Sequence, residues 1–317
     1  MLFRSDSRNW QIDTIPYTHF RARKDKTTVA AYTSGKVTIQ GAGTADLVTF
    51  YLEPELLHEA RFGYESVVAQ VEHPEMFAPH AGIDESGKGD FFGPMVIACV
   101  YVDPTSAEAL LAAGVQDSKA IKSDQRIHAL AATIRKTVQG KFSLIKLSPA
   151  TYNRMYGSMG NVNRMLAWGH ARALENVLEL QPDCPRAISD QFGSKTLVLR
   201  ALLERGRRIE LEQRHKAEAD IAVAAASILA REGFIDALDK LGGSAGRKLL
   251  RGASAEVLRA AAELVRQLGD NALGEYAKLH FRTSQRAIAI AHGRPDPGAG
   301  AADDAPADPE LPDDAAP

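Results

Sequence analysis

Cysteine is almost absent from this chain, which has only two among 317 residues. Cys99 and Cys184 lie far apart in the sequence, and neither has a histidine nearby at the spacing of a metal site. The chain therefore lacks the pattern of a disulfide framework or of a zinc site. Two isolated cysteines are typical of reduced thiols in the core of a cytoplasmic protein.

Long apolar runs are also missing. No uninterrupted stretch approaches the roughly 20 residues that cross a bilayer, and the first residues, Met-Leu-Phe-Arg-Ser-Asp, lack the apolar segment of a secretory signal. Apolar residues make up 45% of the chain and charged residues 25%, which are ordinary values for a globular protein. We therefore expect a cytoplasmic protein that has no membrane partner and is long enough to form two domains.

A strong net charge is lacking as well, since the formal value is −2, but the charges are unevenly distributed. Residues 293–317 contain seven acids and one arginine, so the rest of the chain has a net charge of +4. Residues 1–40 contain seven basic side chains and three acids, which favours phosphate contacts, although such charges are also common on surfaces that bind nothing. Residues 293–317 are rich in Asp, Ala and Pro, and we expect them to form a disordered acidic tail.

The most informative segment is residues 81–94, which read Ala-Gly-Ile-Asp-Glu-Ser-Gly-Lys-Gly-Asp-Phe-Phe-Gly-Pro. Neighbouring side chains of a strand point to opposite faces, so Asp84 and Glu85 can face one site only if the strand ends or bulges there. Clustered carboxylates suit a hard divalent cation such as Mg²⁺. The backbone of Gly87-Lys88-Gly89 can approach a phosphate or a sugar closely, because glycine has no Cβ. The segment indicates phosphoryl-transfer chemistry, and the alternative is a polar turn after a strand.

This segment resembles the first active-site motif of the type 2 ribonucleases H, and its Gly-Lys-Gly in place of Gly-Arg-Gly is similar to bacterial ribonuclease HIII. The resemblance extends over about residues 10–290 and includes further motifs in the order of the family. They are Asp117-Ser118-Lys119, Tyr152-Asn153 with Asn161-Val162-Asn163 and Leu166 to Ala171, Asp190-Gln191-Phe192, Lys216-Ala217-Glu218 with Ala225 to Arg231, and Lys278-Leu279-His280-Phe281. Such a series of motifs is highly specific.

The resemblance implies an α/β fold with two domains. A ribonuclease H-like mixed-sheet catalytic domain at 79–292 would follow a small α+β domain at 1–78 that resembles the TATA-binding protein and binds substrate. It also implies a monomeric endonuclease that hydrolyses the RNA strand of RNA–DNA hybrids with two Mg²⁺ or Mn²⁺ ions and leaves 5′-phosphate ends. The alternatives are a ribonuclease HII-like enzyme that incises at single ribonucleotides in DNA, a hybrid-binding protein without catalysis, and a metal-dependent DNase.

The resemblance also implies roles for individual residues, since a two-metal nuclease needs several acids that converge from separate elements. The expected metal ligands and catalytic acids are Asp84, Glu85, Asp190 and Glu218. The expected substrate contacts are Gly87, Lys88, Gly89 and Lys119. The Gly-Lys-Gly backbone would sense the 2′-hydroxyls that distinguish RNA from DNA. Taken alone, Asp190 is more typical of a helix cap or a turn than of a metal site. Lys119 taken alone is as typical of an ordinary surface lysine as of a phosphate contact.

The fourth acid has two candidates. Glu218 and Asp220 are two residues apart, so they cannot share a helix face. The match to Lys-Ala-Glu favours Glu218, and a helix over 218–241 with an apolar stripe through Ala222 would put Glu218 at the buried edge of the sheet. The interval from Glu218 to Ser227 is about one residue shorter than the family spacing, which leaves Asp220 open.

Hydrophobic periodicity predicts the elements of the N-terminal part. Three short strands are expected at 18–23, 27–33 and 36–40, separated by turn residues. A helix is expected at about 45–57 and a linker at 73–79. The unit is therefore predicted to be small, β-rich and basic.

The second part is predicted to alternate strands with helices. An apolar run predicts a buried strand at 95–102, and a short strand ends at Asp190. Apolar spacing of 3.6 residues predicts helices at 123–138, 163–178 and 254–267. This order of elements favours a layered α/β fold.

Overall fold

The computed structural model describes most of the chain, namely residues 10–58, 73–116, 118–215 and 217–298. Contacts divide the chain into two compact units, Met1–Glu72 and His73–Pro317. The motif residues Asp117 and Lys216 and residues 299–317 of the predicted tail lie outside the described residues. Among the helices within the described ranges, none combines the length and the apolarity that crossing a membrane requires.

The first unit contains a four-stranded antiparallel sheet followed by a helix. Its strands are arranged in the order of the sequence, as β1 (Gln11–Asp13), β2 (Thr18–Lys24), β3 (Thr27–Tyr32) and β4 (Val37–Gly41). The helix is α-helical over Thr44–Leu47 (α1) and continues as a π-helix over Val48–Leu57. The three predicted strands and the predicted helix are confirmed.

Strand β1 was not predicted, because three residues are too few for a periodic pattern. It pairs with β2 so that Asp13 lies opposite Arg21. The Asp13 carboxylate accepts hydrogen bonds from Arg21 at 2.6 and 2.8 Å and from Arg23 at 2.8 Å. The hydrogen bond from Arg21 holds the pKa of Asp13 below its ordinary value. Arg21 and Arg23, which belong to the basic residues of the N-terminal part, are therefore paired within the sheet.

The second unit contains a five-stranded mixed sheet, which confirms the predicted α/β class. Its strands are β5 (His80–Ser86), β6 (Met95–Val102), β7 (Phe142–Leu147), β8 (Arg186–Asp190) and β9 (Glu210–Arg214), in the spatial order β7-β6-β5-β8-β9. Strands β7, β6 and β5 pair antiparallel, whereas β8 and β9 run parallel to β5. The carboxyl ends of β5 and β8 therefore lie at the same edge of the sheet, with Asp84 and Glu85 near the end of β5 and Asp190 at the end of β8.

Helices make up most of the rest of this unit. In chain order they are α2 (Pro104–Ala112), α3 (Asp124–Val138), α4 (Pro149–Met159), α5 (Val162–Leu180), α6 (Lys195–Ala201), α7 (Ile221–Ser244), α8 (Ala255–Leu268), α9 (Leu273–Tyr276) and α10 (Arg282–Ala291). The predicted helices at 123–138, 163–178 and 254–267 are confirmed as α3, α5 and α8. Their first turns are capped by Ser123, Asn161 and Ser254, whose side chains accept backbone N–H hydrogen bonds.

The long helix α7 begins three residues later than predicted, at Ile221 instead of Glu218. Asp220 is its N-cap, because the carboxylate accepts the backbone N–H groups of Ala222 at 2.9 Å and Val223 at 3.2 Å. Residues Ala217–Ala219 form a separate 3₁₀ turn. Glu218 is therefore not on the apolar stripe of the helix, and the argument from helix phase that favoured it was wrong.

Helices α5 and α7 pack on opposite faces of the sheet. Ala81 and Ile83 of β5 lie in the core formed with α5. Gly82 faces α7, and a Cβ there would lie 2.2 Å from the backbone of Ala222 and of Val223. The missing side chain thus lets α7 lie directly on β5 and brings Ser227 of this helix to the end of the strand.

The segment 73–79 packs with the second unit. Pro74–Phe77 form a 3₁₀ turn, and Phe77 is buried. The carbonyl oxygen of Glu75 accepts a hydrogen bond of 2.6 Å from Arg186 at the start of β8. These contacts attach the segment to the five-stranded sheet.

The first residues of the predicted acidic tail, 293–298, belong to the described part of the chain. Asp296 accepts hydrogen bonds from Arg286 of α10 at 2.9 and 3.0 Å. The first acid of the predicted tail is therefore packed against the last helix.

Candidate active site

A cleft of about 390 Å³ opens at the sheet edge where β5 and β8 end. Seven of the eight predicted site residues line it, and Glu218 does not. The lining residues are Asp84, Glu85, Ser86, Gly87, Lys88, Gly89, Asp90, Ser118, Lys119, Asp190, Ser227, Arg231, Phe234, Ile235 and Arg251. The structure thus brings together three of the four predicted acids and all of the predicted substrate contacts.

The neighbouring acids Asp84 and Glu85 reach the cleft because the strand ends there. Strand β5 pairs with β6 without a bulge from His80 to Ser86, so Asp84 and Glu85 lie on opposite faces of the sheet. The chain turns at Gly87, whose φ is +90°. Of the two expected geometries, strand end or bulge, the structure has the strand end.

Asp84 lies on the α7 face in a strongly negative environment. Its Oδ1 accepts the backbone N–H of Glu85 at 2.8 Å, and this bond and the Ser227 hydroxyl both act to lower its pKa. Burial, repulsion by Glu85 and the nearby charge of Asp190 nevertheless raise the pKa of Asp84 to about 8. A cation in the cleft would offset this repulsion, which is what a divalent metal site requires.

Glu85 lies on the α5 face and is held by a histidine. Its Oε2 is 3.0 Å from Nε2 of His170, which is completely buried. Burial alone would raise the pKa of Glu85, but the hydrogen bond with His170 and the positive charges of Lys88 and Lys119 more than offset it and lower the pKa. Glu85 therefore stays charged more readily than its neighbour Asp84.

Asp190 is the last residue of β8 and faces the same side as Asp84. Its Oδ1 accepts the backbone N–H of Ala217 at 3.3 Å. This hydrogen bond draws the 3₁₀ turn Ala217–Ala219, which contains Glu218, toward the strand end. Asp190 thus connects the cleft to the segment that holds both candidates for the fourth acid.

The two candidates for the fourth acid have different partners. Asp220 is 7% exposed, caps α7 and is hydrogen-bonded to Nε2 of the buried His80 at 2.9 and 3.0 Å. The Glu218 side chain is 20% exposed, and its Oε1 is 3.5 Å from Nζ of Lys119, which lines the cleft. Glu218 itself lines an adjoining apolar groove next to Met76 and Val115. Asp220 is occupied by structural partners, whereas Glu218 lies at the margin of the cleft.

The Gly-Lys-Gly turn and the loop that follows it pack against neighbouring parts of the second unit. A Cβ at Gly87 would lie 2.3 Å from the carbonyl oxygen of Pro94, whereas a Cβ at Gly89 would meet no atom within 4 Å. Nζ of Lys88 lies 5.9 Å from the ring centroid of Phe192. The completely buried Lys278 donates hydrogen bonds to the carbonyl oxygens of Asp90 at 2.7 Å and Gly93 at 2.8 Å, so the C-terminal motif braces the loop that follows this turn.

Sequence reasoning did not assign roles to several polar residues around the acids. Ser118 and Ser227 are joined by a hydrogen bond of 2.7 Å between their hydroxyls, and Arg231 donates to the carbonyl oxygen of Ser118. All three lie within motifs that the sequence matched, so their presence was visible but their contacts were not. Arg251, which pairs with Asp124 at 2.6 and 3.0 Å, lies in no motif and gave no signal.

Comparison with known proteins finds similar chains. A family model described as ribonuclease HII matches residues 81–284, and a domain of unknown function, DUF3378, matches residues 6–61. The chain is 44% identical over 271 residues to the ribonuclease HIII of Protochlamydia amoebophila, which covers 85% of this chain and 87% of the relative. It is 40% identical over 280 residues to the ribonuclease HIII of Chlamydia muridarum, with coverage of 88% and 89%.

Two solved structures are similar along most of their length. One is Bst-RNase HIII in complex with Mn²⁺, with a TM-score of 0.65, 31% identity and coverage of 92% of this chain and 96% of that chain. The other is Aquifex aeolicus RNase H3, with a TM-score of 0.54, 25% identity and coverage of 85% and 91%. The similarity includes both the small sheet unit and the five-stranded unit.

Proposed function

Because the chain belongs to the ribonuclease HII family, in which its curated relatives are ribonucleases HIII, we propose that it is an endonuclease that hydrolyses the RNA strand of RNA–DNA hybrids. The products would carry 5′-phosphate and 3′-hydroxyl ends. Buried reduced cysteines fit the cytoplasm, and we propose that the enzyme acts there as a monomer.

One observation supports this proposal above the others. The carboxylates of Asp84, Glu85 and Asp190 come from two parallel strand ends and line one cleft, whose rim is the Gly-Lys-Gly turn. A protein that only binds nucleic acid needs positive charge and has no use for three acids in its binding cleft. A cluster of acids beside a cationic turn suits metal-assisted cleavage of a phosphodiester.

The residues of the cleft fit divalent cations. The donors are carboxylate oxygens, which hard ions such as Mg²⁺ and Mn²⁺ prefer. The pKa of Asp84 is raised by burial and by the negative charges of Glu85 and Asp190, which a bound cation would offset. We propose that two such ions are held by Asp84, Glu85, Asp190 and Glu218. Bound ions supply Lewis-acid polarisation of the phosphate and of the attacking water. For Glu218 this requires that its contact with Lys119 give way to a metal contact.

The remaining residues of the cleft are proposed to bind the hybrid. The backbone of Gly87-Lys88-Gly89 would contact 2′-hydroxyls, which DNA lacks. Lys88, placed over the ring of Phe192, and Lys119 would attract the phosphates on either side of the scissile bond. These contacts position the RNA strand, while the acids hold the divalent cations that the reaction needs.

The proposal is tested with an RNA–DNA hybrid labelled on the RNA strand and with a DNA duplex of the same sequence. With Mg²⁺ or Mn²⁺ we expect cleavage of the hybrid, 5′-phosphate ends on the products and no cleavage of the DNA. With EDTA we expect none. Equal cleavage of both duplexes would indicate a DNase, and tight hybrid binding without cleavage would indicate a binding protein.

Alanine substitutions at Gly87 and at Gly89 are expected to distinguish an effect on the stability of the fold from an effect on substrate recognition. Gly87 has a φ of +90° and no room for a Cβ, so Gly87→Ala is expected to lower the melting temperature together with cleavage. Gly89 has open space and lies outside the left-handed region, so Gly89→Ala is expected to keep the melting temperature and to reduce cleavage by blocking close approach to the substrate. Thermal melts without substrate and rates of hybrid cleavage measure the two effects.

The control for this pair is Lys88→Arg, which keeps a positive charge over Phe192 and is expected to be mild. Wild-type cleavage by Gly89→Ala would show that the backbone at this position does not approach the substrate. A loss of cleavage in Lys88→Arg as large as that in Gly89→Ala would point instead to recognition by the lysine side chain.

Removal of the first unit is expected to weaken binding without removing the chemistry. Residues 73–79 pack on the second unit, so the truncated chain should begin at His73. We expect it to cleave at saturating hybrid but to bind less tightly, since it lacks the basic residues near the N-terminus. The slope of log affinity against log salt should become shallower by about 0.9 for each phosphate that the first unit neutralises. Fluorescence anisotropy with labelled hybrid in EDTA measures both, and an unchanged affinity and slope would show that this unit does not bind the substrate.

A further inference from the structure

Beneath the cleft, His170 of α5 is completely buried, yet both of its ring nitrogens contact polar atoms. Nε2 lies 3.0 Å from Oε2 of Glu85, and Nδ1 lies 3.1 Å from the hydroxyl of Ser189. Glu85 belongs to β5 and Ser189 to β8, so one side chain contacts both strands that end at the cleft.

The geometry of the strands creates a need for such a contact. Asp84 and Asp190 lie on the α7 face, because each is two residues after Gly82 or Ile188, which pair in register and lie against α7. Glu85 lies on the other face, in line with Ile83, which packs into the core formed with α5. Its carboxylate must therefore be held at the end of the sheet to share one site with the two aspartates.

His170 forms a bridge between the two strand ends. Its Nε2 donates to the Glu85 carboxylate, which can only accept, and its Nδ1 lies 3.1 Å from the Ser189 hydroxyl, which can donate to it. The same hydroxyl oxygen lies 3.0 Å from the backbone carbonyl oxygen of Asp190. Through this path the ring is fixed to the strand end that carries Asp190, while its other nitrogen is directed at Glu85.

A ring contact connects this bridge to the rim of the cleft. Phe192 packs edge-to-face on His170 with centroids 4.6 Å apart, and Nζ of Lys88 lies 5.9 Å from the centroid of the same phenyl ring. Phe192 thus packs against the imidazole and also contacts Lys88 of the rim.

We propose that His170 is a positioning residue for the metal site, which fixes the carboxylate of Glu85 relative to Asp190. It does not touch the substrate. The inference rests on the proposed function, because the ligand role of Glu85 is part of that proposal. Partners that orient a metal ligand typically contribute a factor of about 10 to 100 in metal affinity.

The test is a double-mutant cycle on Mn²⁺ binding, followed by the loss of the EPR signal of free Mn²⁺ without any substrate. His170→Phe keeps an aromatic ring and removes both hydrogen bonds, and it is expected to raise the Kd for Mn²⁺ by about 10-fold or more. In a Glu85→Gln background the same change is expected to have less than about a 2-fold effect, because its target is gone. His170→Gln, which keeps an N–H donor, is expected to recover part of the affinity.

Two results would overturn the inference. One is an unchanged Kd in a folded His170→Phe protein, and the other is an equal rise in Kd with and without Glu85, which would indicate a general effect on the fold. If His170→Phe does not fold, Ser189→Ala is used to test the positioning role instead. It removes one hydroxyl and should raise the Kd about 3-fold only when Glu85 is present, and an unchanged Kd then overturns the inference.

The failure of this inference and the failure of the proposed function can be distinguished. If the affinity of the wild-type protein for Mn²⁺ depends on Glu85 and on His170, but the protein does not cleave a hybrid, the endonuclease is refuted and the positioning role remains. If the wild-type protein cleaves hybrids, but the double-mutant cycle shows no coupling between His170 and Glu85, the positioning role is refuted and the endonuclease remains.

Discussion

Asp84→Asn is expected to abolish hybrid cleavage, with a loss of roughly three orders of magnitude, and at the same time to make the metal-free protein more stable. The loss arises because the substitution removes a carboxylate from the proposed metal site. Glu85→Gln and Asp190→Asn should lose cleavage for the same reason. The gain in stability arises because burial and two neighbouring acids oppose the charge of Asp84 in the folded protein.

This gain in stability should depend on pH. The pKa of Asp84 is about 8 in the folded protein, against a reference value of 3.8. Such a carboxyl contributes stability that is complete below about pH 4 and is lost as the pH rises toward 8. The difference in melting temperature between Asp84→Asn and wild type in EDTA should therefore increase from pH 5 to pH 8. The increase should be about 2–4 °C for each kcal/mol by which the free energies of unfolding of the two proteins differ.

The matched control is Asp183→Asn, which changes an exposed acid in the turn before β8, outside the cleft. It should change neither cleavage nor the pH dependence of melting. Near-normal turnover by Asp84→Asn would remove this residue from the proposed metal site. A melting temperature that does not rise would show that the acids of the cleft do not repel one another in the folded protein.

Glu218→Gln and Asp220→Asn are expected to have opposite effects, although the residues are only two apart. Glu218→Gln should lose most cleavage and keep its melting temperature, because the partly exposed side chain lies at the margin of the cleft and pairs there with the exposed Lys119. Asp220→Asn should retain cleavage but melt earlier. Asparagine can still cap α7, but it loses the charged hydrogen bond with the buried His80, at a cost of about 1–3 kcal/mol.

The rate of hybrid cleavage by both variants is measured at 25 °C with Mg²⁺ or Mn²⁺. Their melting temperatures are measured separately in EDTA. The reverse pattern, with an inactive and stable Asp220→Asn beside an active Glu218→Gln, would identify Asp220 as the fourth ligand. It would also show that the 3₁₀ turn Ala217–Ala219 rearranges when metal binds.

The sequence allowed the prediction of features that depend on local pattern. Apolar spacing located the helices α3, α5 and α8, and the glycines after Glu85 indicated that the strand ends or bulges there. The start of α7 was also readable, since Asp220 stands directly before the apolar run as an N-cap does. It was missed because the apolar stripe was extended backward to Glu218 instead of being ended at the cap.

Other features depend on contacts between distant parts of the chain. The hydrogen bond between Ser118 and Ser227 spans 109 residues, and that between Glu85 and His170 spans 85. A single sequence does not reveal such pairs, even where each residue lies within a matched motif. Gly87 and Gly89 look alike in the sequence and differ only through the atoms that the fold places beside each of them.

The most direct test of the central claim compares two substrates under identical conditions with Mg²⁺ or Mn²⁺. One is an RNA–DNA hybrid, and the other is a DNA duplex of the same sequence with a single embedded ribonucleotide. Because the Gly87-Lys88-Gly89 turn is proposed to contact several 2′-hydroxyls, we expect rapid cleavage of the hybrid at multiple positions and little incision at the single ribonucleotide. Efficient incision at the single ribonucleotide, with slow cleavage of the hybrid, would contradict the account and assign the chain an activity of the ribonuclease HII type.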